Sequence, residues 1–333
     1  MQRRGALAVT LLPLSWLFRA LAALRRLLYR RGVLRQERVD VPVVVVGNIT
    51  VGGSGKTPLV LWLAQRLRSR GHAPGIISRG YGGSAEVPRA VRAQDDAAVV
   101  GDEPLLLARR SDCPVWIGRQ RVAAARALLA AHPECDVLIS DDGLQHYALA
   151  RDVEIAVMDE RGIGNGWFLP AGPLREGPSR LRTVDALVIN GERLPAGLGG
   201  QPGRTYFLRL AGTRFASLRR PEVSCGAEEL QGRRLHAVAG IGHPQRFFDH
   251  LSALGLRFAA HPFPDHHRYT AADLAFADAD ALLMTEKDAV KCAGLALPET
   301  WVLGVDAEVS PAGAAEPGLV ELVVEKLNGR PPA

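Results

Sequence analysis

The stretch VPVVVVGNITVGGSGKTPLVLWL, residues 41–63, decides the fold class of this chain. Its first part, 41–46, is an apolar run rich in β-branched residues, which is typical of a buried strand in a parallel sheet. A glycine-rich turn follows, and Pro58 then opens an apolar segment that reads as a helix, since proline is favoured in a first helical turn. Strand, loop and helix in this order predict an α/β fold of the P-loop NTPase type, with a mainly parallel sheet flanked by helices.

The loop at 50–57 has the spacing of a Walker A phosphate-binding loop, except that Thr50 stands at the first glycine position. Its glycines let backbone N–H groups face phosphate oxygens, and the N-terminus of the next helix adds its positive dipole end. Lys56 would neutralise the outer phosphates, and Thr57 would offer its hydroxyl to Mg²⁺. Lysine occurs at only four positions in the chain, which favours a functional role for this one. We predict that ATP is bound by Thr50, Val51, Gly52, Gly53, Ser54, Gly55, Lys56 and Thr57.

Two adjacent acids, Asp141 and Asp142, follow a second apolar run at 137–140. A carboxylate at the carboxyl end of a strand beside the loop strand is where P-loop enzymes hold Mg²⁺. Asp141 is the first candidate for this role, and Asp142 can face the reacting centre because neighbouring residues diverge at a turn. The alternative is that the Asp-Asp-Gly sequence is only a turn.

Composition excludes several classes of protein. The four cysteines form no CxxC pair, which argues against a zinc cluster and against a disulfide-rich secreted domain. The net charge is +6, but residues 1–38 alone hold nine arginines and one glutamate, so the rest of the chain is close to neutral. Positive charge at one end predicts contact with an anionic surface rather than binding of nucleic acid.

The N-terminal segment has the pattern of a helix that lies in a membrane surface. Its longest uncharged stretch, 5–18, has 14 residues, whereas about 20 are needed to span a bilayer. In a helical projection, four leucines form one stripe and three arginines lie on the opposite side: Leu17, Leu21, Leu24 and Leu28, and Arg19, Arg26 and Arg30. Such arginines would meet lipid phosphates. The alternatives are a secretory signal and a leucine stripe that packs on the protein's own core.

Seven short motifs follow one another in a fixed order: GNITVGGSGKTP at 47–58, SRGYG at 78–82, GDEP at 101–104, DDGLQH at 141–146, LPAGPLRE at 169–176, FPDHH at 263–267 and TEKDAVK at 285–291. Together they resemble the tetraacyldisaccharide 4′-kinases, the lipid A 4′-kinases of Gram-negative bacteria. Each motif alone is weak, but the order of all seven is highly specific and covers nearly the whole chain.

The resemblance implies transfer of the γ-phosphoryl group of ATP to the 4′-hydroxyl of a tetraacylated glucosamine disaccharide 1-phosphate. It places the protein at the cytoplasmic face of the inner membrane, with the anionic membrane surface as a partner and no obligatory protein partner. It also implies a nucleotide-binding lobe and a smaller C-terminal α/β lobe that closes the active-site cleft. With the irregular stretch 212–232 as the boundary, we expect a membrane-interface segment at 1–38, a P-loop lobe at 39–215 and a second lobe at 216–330.

By its motif positions, the resemblance makes Asp102 and His266 a catalytic pair and places four residues around the metal and phosphates: Glu103, Asp141, Asp142 and His146. Chemistry agrees, because a sugar hydroxyl is a poor nucleophile and needs a carboxylate to accept its proton. The alternatives are that Asp102 caps a helix, that His267 rather than His266 is the histidine of the pair, and that His146 is a core histidine.

Arg175 lies in a stretch rich in proline and glycine, and a loop arginine near the cleft suits recognition of phosphate on the lipid. A surface charge is the alternative. The sequence leaves the role of Lys287 open. A GTP-hydrolysing switch is disfavoured because the nearest guanine-selecting string, at 285–288, is out of register. A membrane-positioning ATPase is disfavoured because Val51 stands where that class has a second lysine.

Overall fold

Two β-sheets organise the chain in the computed structural model, which describes residues 5–198, 203–292, 294–313 and 317–329. The strands in these ranges are β1 (Val43–Gly47), β2 (Pro74–Ser78), β3 (Arg89–Val91), β4 (Val115–Ile117), β5 (Val137–Asp141), β6 (Val153–Asp159), β7 (Ala186–Asn190), β8 (Thr205–Ala211), β9 (Phe215–Ser217), β10 (Ser224–Cys225), β11 (Leu235–Ala239), β12 (Phe258–Pro262), β13 (Ala281–Thr285), β14 (Thr300–Leu303) and β15 (Asp306–Pro311). The α-helices are α1 (Ala6–Thr10), α2 (Leu12–Arg30), α3 (Lys56–Arg68), α4 (Ala97–Val100), α5 (Asp102–Arg110), α6 (Arg121–Ala131), α7 (Pro244–Ala253), α8 (Glu286–Ala289) and α9 (Leu319–Asn328).

The first sheet has nine strands in the order β15-β8-β7-β6-β1-β5-β2-β4-β3. Its inner strands run parallel, and only the edge strands β15 and β3 pair antiparallel with their neighbours. Helices cover both faces: Val44 and Val46 of β1 pack in the cluster with α3, α5 and α9, while Val43 and Val45 pack in the cluster with α6. Burial on both faces explains the unbroken apolar run of β1. The predicted α/β fold of the P-loop type is confirmed.

The second sheet has six strands in the order β10-β9-β14-β13-β11-β12. Its strands β14, β13, β11 and β12 run parallel, and β9 and β10 add an antiparallel edge. Helix α7 covers one face through Phe247, Phe248 and Leu251, which pack with the strand residues Leu235 and Leu283. This sheet forms the smaller α/β lobe.

The sheets divide the chain differently from the predicted ranges 39–215 and 216–330. The second sheet begins with β9 at Phe215, and after β14 the chain returns to the first sheet, where β15 pairs with β8. Helix α9 also packs there, because its apolar residues enter the core cluster of the first sheet: Leu319, Val320, Val323 and Leu327. A helical pattern in the sequence shows that one face of α9 is apolar but not which sheet that face covers.

The N-terminal helix α2 turns its polar side to the protein and its apolar side outward. Ser15 Oγ donates to the carbonyl oxygen of Phe168 at 2.8 Å, and Arg26 Nη2 donates to Thr183 Oγ1 at 3.0 Å. Three residues of the leucine stripe are exposed: Leu17, Leu21 and Leu24, at 55%, 57% and 50%. The alternative that these leucines pack on the core is therefore wrong, and Arg26 contacts the protein instead of projecting towards lipid.

None of the helices in the described residues is both long enough and apolar enough to cross a membrane.

Candidate active site

The phosphate-binding loop joins β1 to α3 and is held in shape by two asparagines. Asn48 Nδ2 donates to the carbonyl oxygen of Gly52 at 3.3 Å and to Ser54 Oγ at 3.2 Å. Asn190, at the end of β7, donates from Nδ2 to the carbonyl oxygen of Ser54 at 3.2 Å. Gly55 has a φ of 95°, and a Cβ there would lie 2.5 Å from the same Asn190 nitrogen, so glycine is required. Sequence reasoning missed both asparagines, although Asn48 lies within a quoted motif.

Only some of the eight predicted loop residues line the cleft between the sheets. The residues from Gly53 to Thr57 line the cleft between the sheets. By contrast, Thr50 is buried and forms a bridge with Leu174, and the N–H of Val51 donates to the carbonyl oxygen of Pro173 at 2.9 Å. The first part of the loop is therefore fixed to the segment 169–176, and the second part is the one that can meet phosphate.

Asp142 lies beside the loop between two cations. Its Oδ1 is 3.6 Å from Lys56 Nζ, and both of its carboxylate oxygens accept from Arg175 Nη1 at 2.9 Å. Burial would raise the pKa of Asp142, but Lys56 and Arg175 outweigh it and hold the pKa at about 2. Its φ is 47°, an uncommon backbone conformation outside glycine that is typical of functional turns. Arg175, predicted to recognise lipid phosphate, is thus a partner of Asp142, and its surface-charge alternative is wrong.

Asp141 is fully enclosed at the end of β5. Ser78 Oγ donates to its Oδ2 at 3.3 Å, whereas its Oδ1 has no hydrogen-bond partner among the described residues. Burial and the nearby carboxylate of Glu103 raise the pKa of Asp141 to about 7, and Lys56 only partly opposes them. A buried carboxylate oxygen without a donor is a place where a cation would be favourable, so this residue fits the predicted Mg²⁺ site.

His146 lies close to a group of arginines. Burial and the positive charges of Arg121 and Arg79 lower the pKa of His146 to about 3, so its imidazole is neutral at physiological pH. Arg121 is itself buried, and its Nη2 donates to the carbonyl oxygen of Asp141 at 3.4 Å. The histidine is therefore near the acid pair but does not line the cleft.

Asp102 and His266 meet across the two sheets. Asp102 is the first residue of α5, and His266 Nδ1 lies 2.9 Å and 3.1 Å from its two carboxylate oxygens. Burial would raise the pKa of Asp102, but the hydrogen bond from His266 and the charge of Lys287 lower it overall. The same hydrogen bond raises the pKa of His266. His267 instead lies 3.3 Å from Asp273, so the geometry selects His266 as the partner of Asp102.

Asp102 is not the N-cap residue of α5, so the helix-capping alternative is wrong. The residue that precedes α5 is Gly101, with a φ of 90°, and Asp102 stands inside the first turn. A Cβ on Gly101 would lie 2.5 Å from the carbonyl oxygen of Tyr81, so the helix start is fixed by close backbone contact. Tyr81 also packs against His266, with ring centroids 5.2 Å apart.

Lys287, whose role the sequence left open, lies among three carboxylates. Its Nζ is 2.9 Å from Glu103, 3.3 Å from Asp265 and 3.9 Å from Asp102. Although burial lowers its pKa, these carboxylates raise the pKa of Lys287 overall, so it is a fixed positive charge. The rarity of lysine in this sequence was the signal that could have assigned it to the site.

A cleft of about 490 Å³ lies between the two sheets. Its lining combines the phosphate-binding loop, Glu103 and Lys287 with a set of apolar side chains: Leu61, Leu106, Leu210, Phe247 and Leu303. Charged and apolar groups in one cleft match a ligand with phosphates and a flat ring.

Comparisons with known proteins agree with one another. A family model described as tetraacyldisaccharide-1-P 4′-kinase matches residues 7–325. A tetraacyldisaccharide 4′-kinase of Azoarcus sp. (strain BH72) is 57% identical to this chain, and the alignment covers 99% of this chain and 95% of the relative. A tetraacyldisaccharide 4′-kinase of Dechloromonas aromatica is 56% identical, with the same two coverages. A crystal structure of LpxK from Aquifex aeolicus in complex with ATP superposes with a TM-score of 0.80 at 28% identity, covering 96% of this chain and 99% of that one.

Proposed function

We propose a mechanism from one premise, that this chain belongs to the tetraacyldisaccharide 4′-kinase family. It is an ATP-dependent kinase that phosphorylates the 4′-hydroxyl of a tetraacylated glucosamine disaccharide 1-phosphate in lipid A biosynthesis. The observation that carries the mechanism is the Asp102–His266 pair beside Lys287, which lines the same cleft as the phosphate-binding loop.

ATP binds with its phosphates on the loop and its base against the apolar side chains that line the cleft. The N–H groups at the start of α3 and the Nζ of Lys56 face the phosphates, and the lysine is only 11% exposed, so its charge acts in a partly dry site. Lys56 also lies 3.6 Å from Asp142, which keeps the ammonium oriented before the nucleotide arrives.

Mg²⁺ would be held chiefly by Asp141, with Thr57 and Glu103 as the further oxygen donors on the cleft side. The unpartnered Oδ1 of Asp141 and the raised pKa of its carboxyl support this placement. One or two carboxylates are sufficient for Mg²⁺, because it keeps waters and substrate phosphates as most of its ligands. When bound, it would neutralise charge on the transferred phosphoryl group. Asp142 is already paired with Lys56 and Arg175, so it orients these cations instead.

Asp102 accepts the proton of the 4′-hydroxyl as that oxygen attacks the γ-phosphorus, and the bond from this phosphorus to the β,γ-bridging oxygen breaks, so that ADP leaves. The lowered pKa of Asp102 keeps the carboxylate ionised and able to accept, and His266 fixes its orientation through Nδ1. Lys56 and Arg175 both lie next to Asp142, and their positive charges would stabilise the negative charge that accumulates on the phosphoryl oxygens.

The membrane contact is made by the exposed apolar face of α2. Its polar side is bonded to the protein through Ser15 and Arg26, so the leucines are left to enter the lipid interface while the cleft stays in water. We infer a peripheral or monotopic protein at the cytoplasmic face of the inner membrane, where both ATP and an acylated disaccharide are within reach.

The test is incubation of the purified protein with γ-labelled ATP and a tetraacylated disaccharide 1-phosphate in mixed micelles. We expect label in the lipid, and no label when the acceptor lacks a free 4′-hydroxyl. His266→Ala should lower transfer strongly and His267→Ala should not. Equal loss in the two variants would contradict the assignment of the pair, and no transfer by the wild-type protein would contradict the activity.

A further inference from the structure

The motif at 285–291 contains a buried carboxylate that the mechanism above does not use. Asp288 is 0% exposed, and it lies behind the wall of the active site that the second sheet provides. Placing a carboxylate there is costly unless it is fully hydrogen-bonded and paired with a cation. The donors around it show which parts of the molecule it joins.

Four donor groups from the second lobe converge on the Asp288 carboxylate. The N–H of Gly240 lies 3.1 Å and 3.2 Å from its two oxygens, and the Tyr269 hydroxyl donates to Oδ1 at 3.0 Å. The Thr285 hydroxyl donates to Oδ2 at 2.7 Å, and Lys291 Nζ, itself 7% exposed, lies 2.8 Å from Oδ1. The backbone N–H of Asp288 in turn donates to Thr285 Oγ1 at 3.2 Å and closes the first turn of α8.

Each of these donors belongs to a segment that carries a part of the active site. Tyr269 follows His266 by three residues, and Thr285 begins the helix that carries Lys287. Gly240 begins the turn that ends in Gly242, where a Cβ would lie 2.8 Å from the backbone nitrogen of Gly53 in the phosphate-binding loop. One carboxylate therefore joins the His266 loop, the Lys287 helix and the turn that touches the phosphate-binding loop.

Close packing leaves these segments little freedom to move independently. A Cβ on Gly240 would lie 2.7 Å from the Tyr269 hydroxyl, 3.2 Å from Asp288 Oδ1 and 3.2 Å from the carbonyl oxygen of Pro264. Lys291 also donates to the carbonyl oxygen of Gly240 at 3.2 Å and lies 5.0 Å from the centre of the Tyr269 ring. His266 itself has a φ of 60°, an uncommon conformation that persists only where the surroundings hold it.

We infer that Asp288 is a positioning residue for phosphoryl transfer, which fixes the loop of His266 so that this histidine meets Asp102. The inference rests on the proposed role of the Asp102–His266 pair. Asp288 touches neither substrate, and it acts through the backbone of the residues that do. Substitution of Asp288 should therefore lower turnover rather than nucleotide affinity. A displacement of about 1 Å in a reacting group reduces the rate on the order of 10²-fold.

The test is a double-mutant cycle of Asp288→Asn and His266→Ala, with kcat measured at saturating ATP and lipid and ATP affinity measured separately. The amide of Asp288→Asn has the shape of the carboxylate, but its nitrogen cannot accept a hydrogen bond and leaves Lys291 without a counter-charge. In the wild-type background, we expect Asp288→Asn to lower kcat about ten- to hundredfold and to leave ATP affinity nearly unchanged. In the His266→Ala background, the same substitution should lower kcat hardly further.

The control is Asp280→Asn, in the same lobe. Asp280 accepts from the backbone and side chain of Arg234 at 2.6–3.2 Å but is remote from the segments described above, so kcat should stay at the wild-type value. If Asp288→Asn does not fold, Tyr269→Phe takes its place in the cycle, because it removes only the hydroxyl that binds Asp288. It should lower kcat in the same direction, and a Tyr269→Phe protein with wild-type kcat would overturn the inference.

Two further results would also overturn it. If Asp288→Asn lowered kcat by the same factor in the wild-type and His266→Ala backgrounds, Asp288 would not act through His266. The proposed Asp102–His266 pair would be unaffected by that result. A His266→Ala protein with wild-type kcat would remove the pair itself, and the positioning role with it.

Discussion

Lys56 is the single cation that the sequence places at the phosphates, and its surroundings allow it to be removed without loss of the fold. Asp142, which forms an ion pair with Lys56, keeps Arg175 as a partner at 2.9 Å when the lysine is removed. We expect Lys56→Ala to abolish phosphoryl transfer, by at least about 10²-fold in kcat, and to leave the melting temperature close to that of the wild type. Lys326→Ala, which removes a half-exposed ion pair with Asp185, should retain full activity. A folded Lys56→Ala protein with near-normal activity would remove the basis of the proposed mechanism.

Asp102 should matter for turnover more than for nucleotide binding, because a proton acceptor acts mainly in the transition state. Asp102→Ala should lower kcat by about 10²- to 10⁴-fold and change the dissociation constant of ATP only slightly. Asp96→Ala is a matched control, since Asp96 Oδ1 caps α4 by accepting from the N–H of Ala98 at 2.8 Å. That variant should lose only stability, about 0.5–2 kcal/mol. If the loss in Asp102→Ala lay entirely in ATP affinity, the residue would be structural.

At the scale of elements, α5 is bound at both ends by α8 of the other sheet. Its first turn meets Lys287 through Glu103 at 2.9 Å, and its last residue, Arg110, donates to the carboxylate of Glu286. Arg110 also reaches Asp306 at 2.6 Å, where the chain returns to the first sheet. The helix that carries Asp102 packs in the core of the first sheet through Leu105 and Leu107, and contacts with the second lobe hold both of its ends.

Helix α2 is the element whose surface suits lipid. Each leucine that enters the lipid contributes about 1.5–3 kcal/mol, and each arginine of the segment other than Arg26, which binds Thr183, adds about 1 kcal/mol where it reaches an anionic surface. These contributions are enough for binding that salt weakens but does not abolish. Leu21→Glu with Leu24→Glu should release the protein from anionic vesicles and reduce activity on vesicle-embedded lipid, whereas ATP binding should persist. Vesicle flotation and nucleotide titration measure the two effects.

The control for this prediction adds the same two charges elsewhere. Leu194→Glu with Ala260→Glu places them at exposed positions of the two lobes, so vesicle binding should be retained. If the α2 variant stayed fully bound to vesicles, the membrane contact would lie outside these leucines.

At the scale of the whole molecule, the two lobes touch at a pair of glycines beside the phosphates. A Cβ on Gly242 would lie 2.8 Å from the backbone nitrogen of Gly53, so Gly242→Ala must push the second lobe away from the phosphate-binding loop. We expect kcat to fall about tenfold or more, because a shift of a few tenths of an ångström to 1 Å moves His266 of the second lobe away from Asp102 of the first.

Gly304→Ala is the matched control, at a glycine in the crossing between the sheets. Its added Cβ would lie 3.9 Å from the nearest atom, Glu286 Oε1, which is an ordinary contact, so kcat should stay near that of the wild type. Steady-state kinetics of the two variants decide the point, and an active Gly242→Ala protein would show that the lobes need not approach this closely.

The sequence by itself determined the elements and residues that depend on neighbours along the chain. The strand β1, the loop with Lys56 and the start of α3 are one continuous pattern, and Asp141 follows an apolar strand in the same way, so their places at one edge of the sheet were predictable. The exposed leucines of α2 were also visible as a periodic stripe. The backbone periodicity of neighbouring residues determines each of these features.

Only the tertiary structure decided which distant residues meet. Asp102 and His266 are 164 positions apart, and the choice between His266 and His267 depends on a loop held by the buried carboxylate of Asp288. The return of β15 and α9 to the first sheet is of the same kind, since an apolar face can cover either sheet equally well. The physical reason is that periodicity shows which face of an element is buried, whereas the order of strands and the packing of lobes determine what that face is buried against.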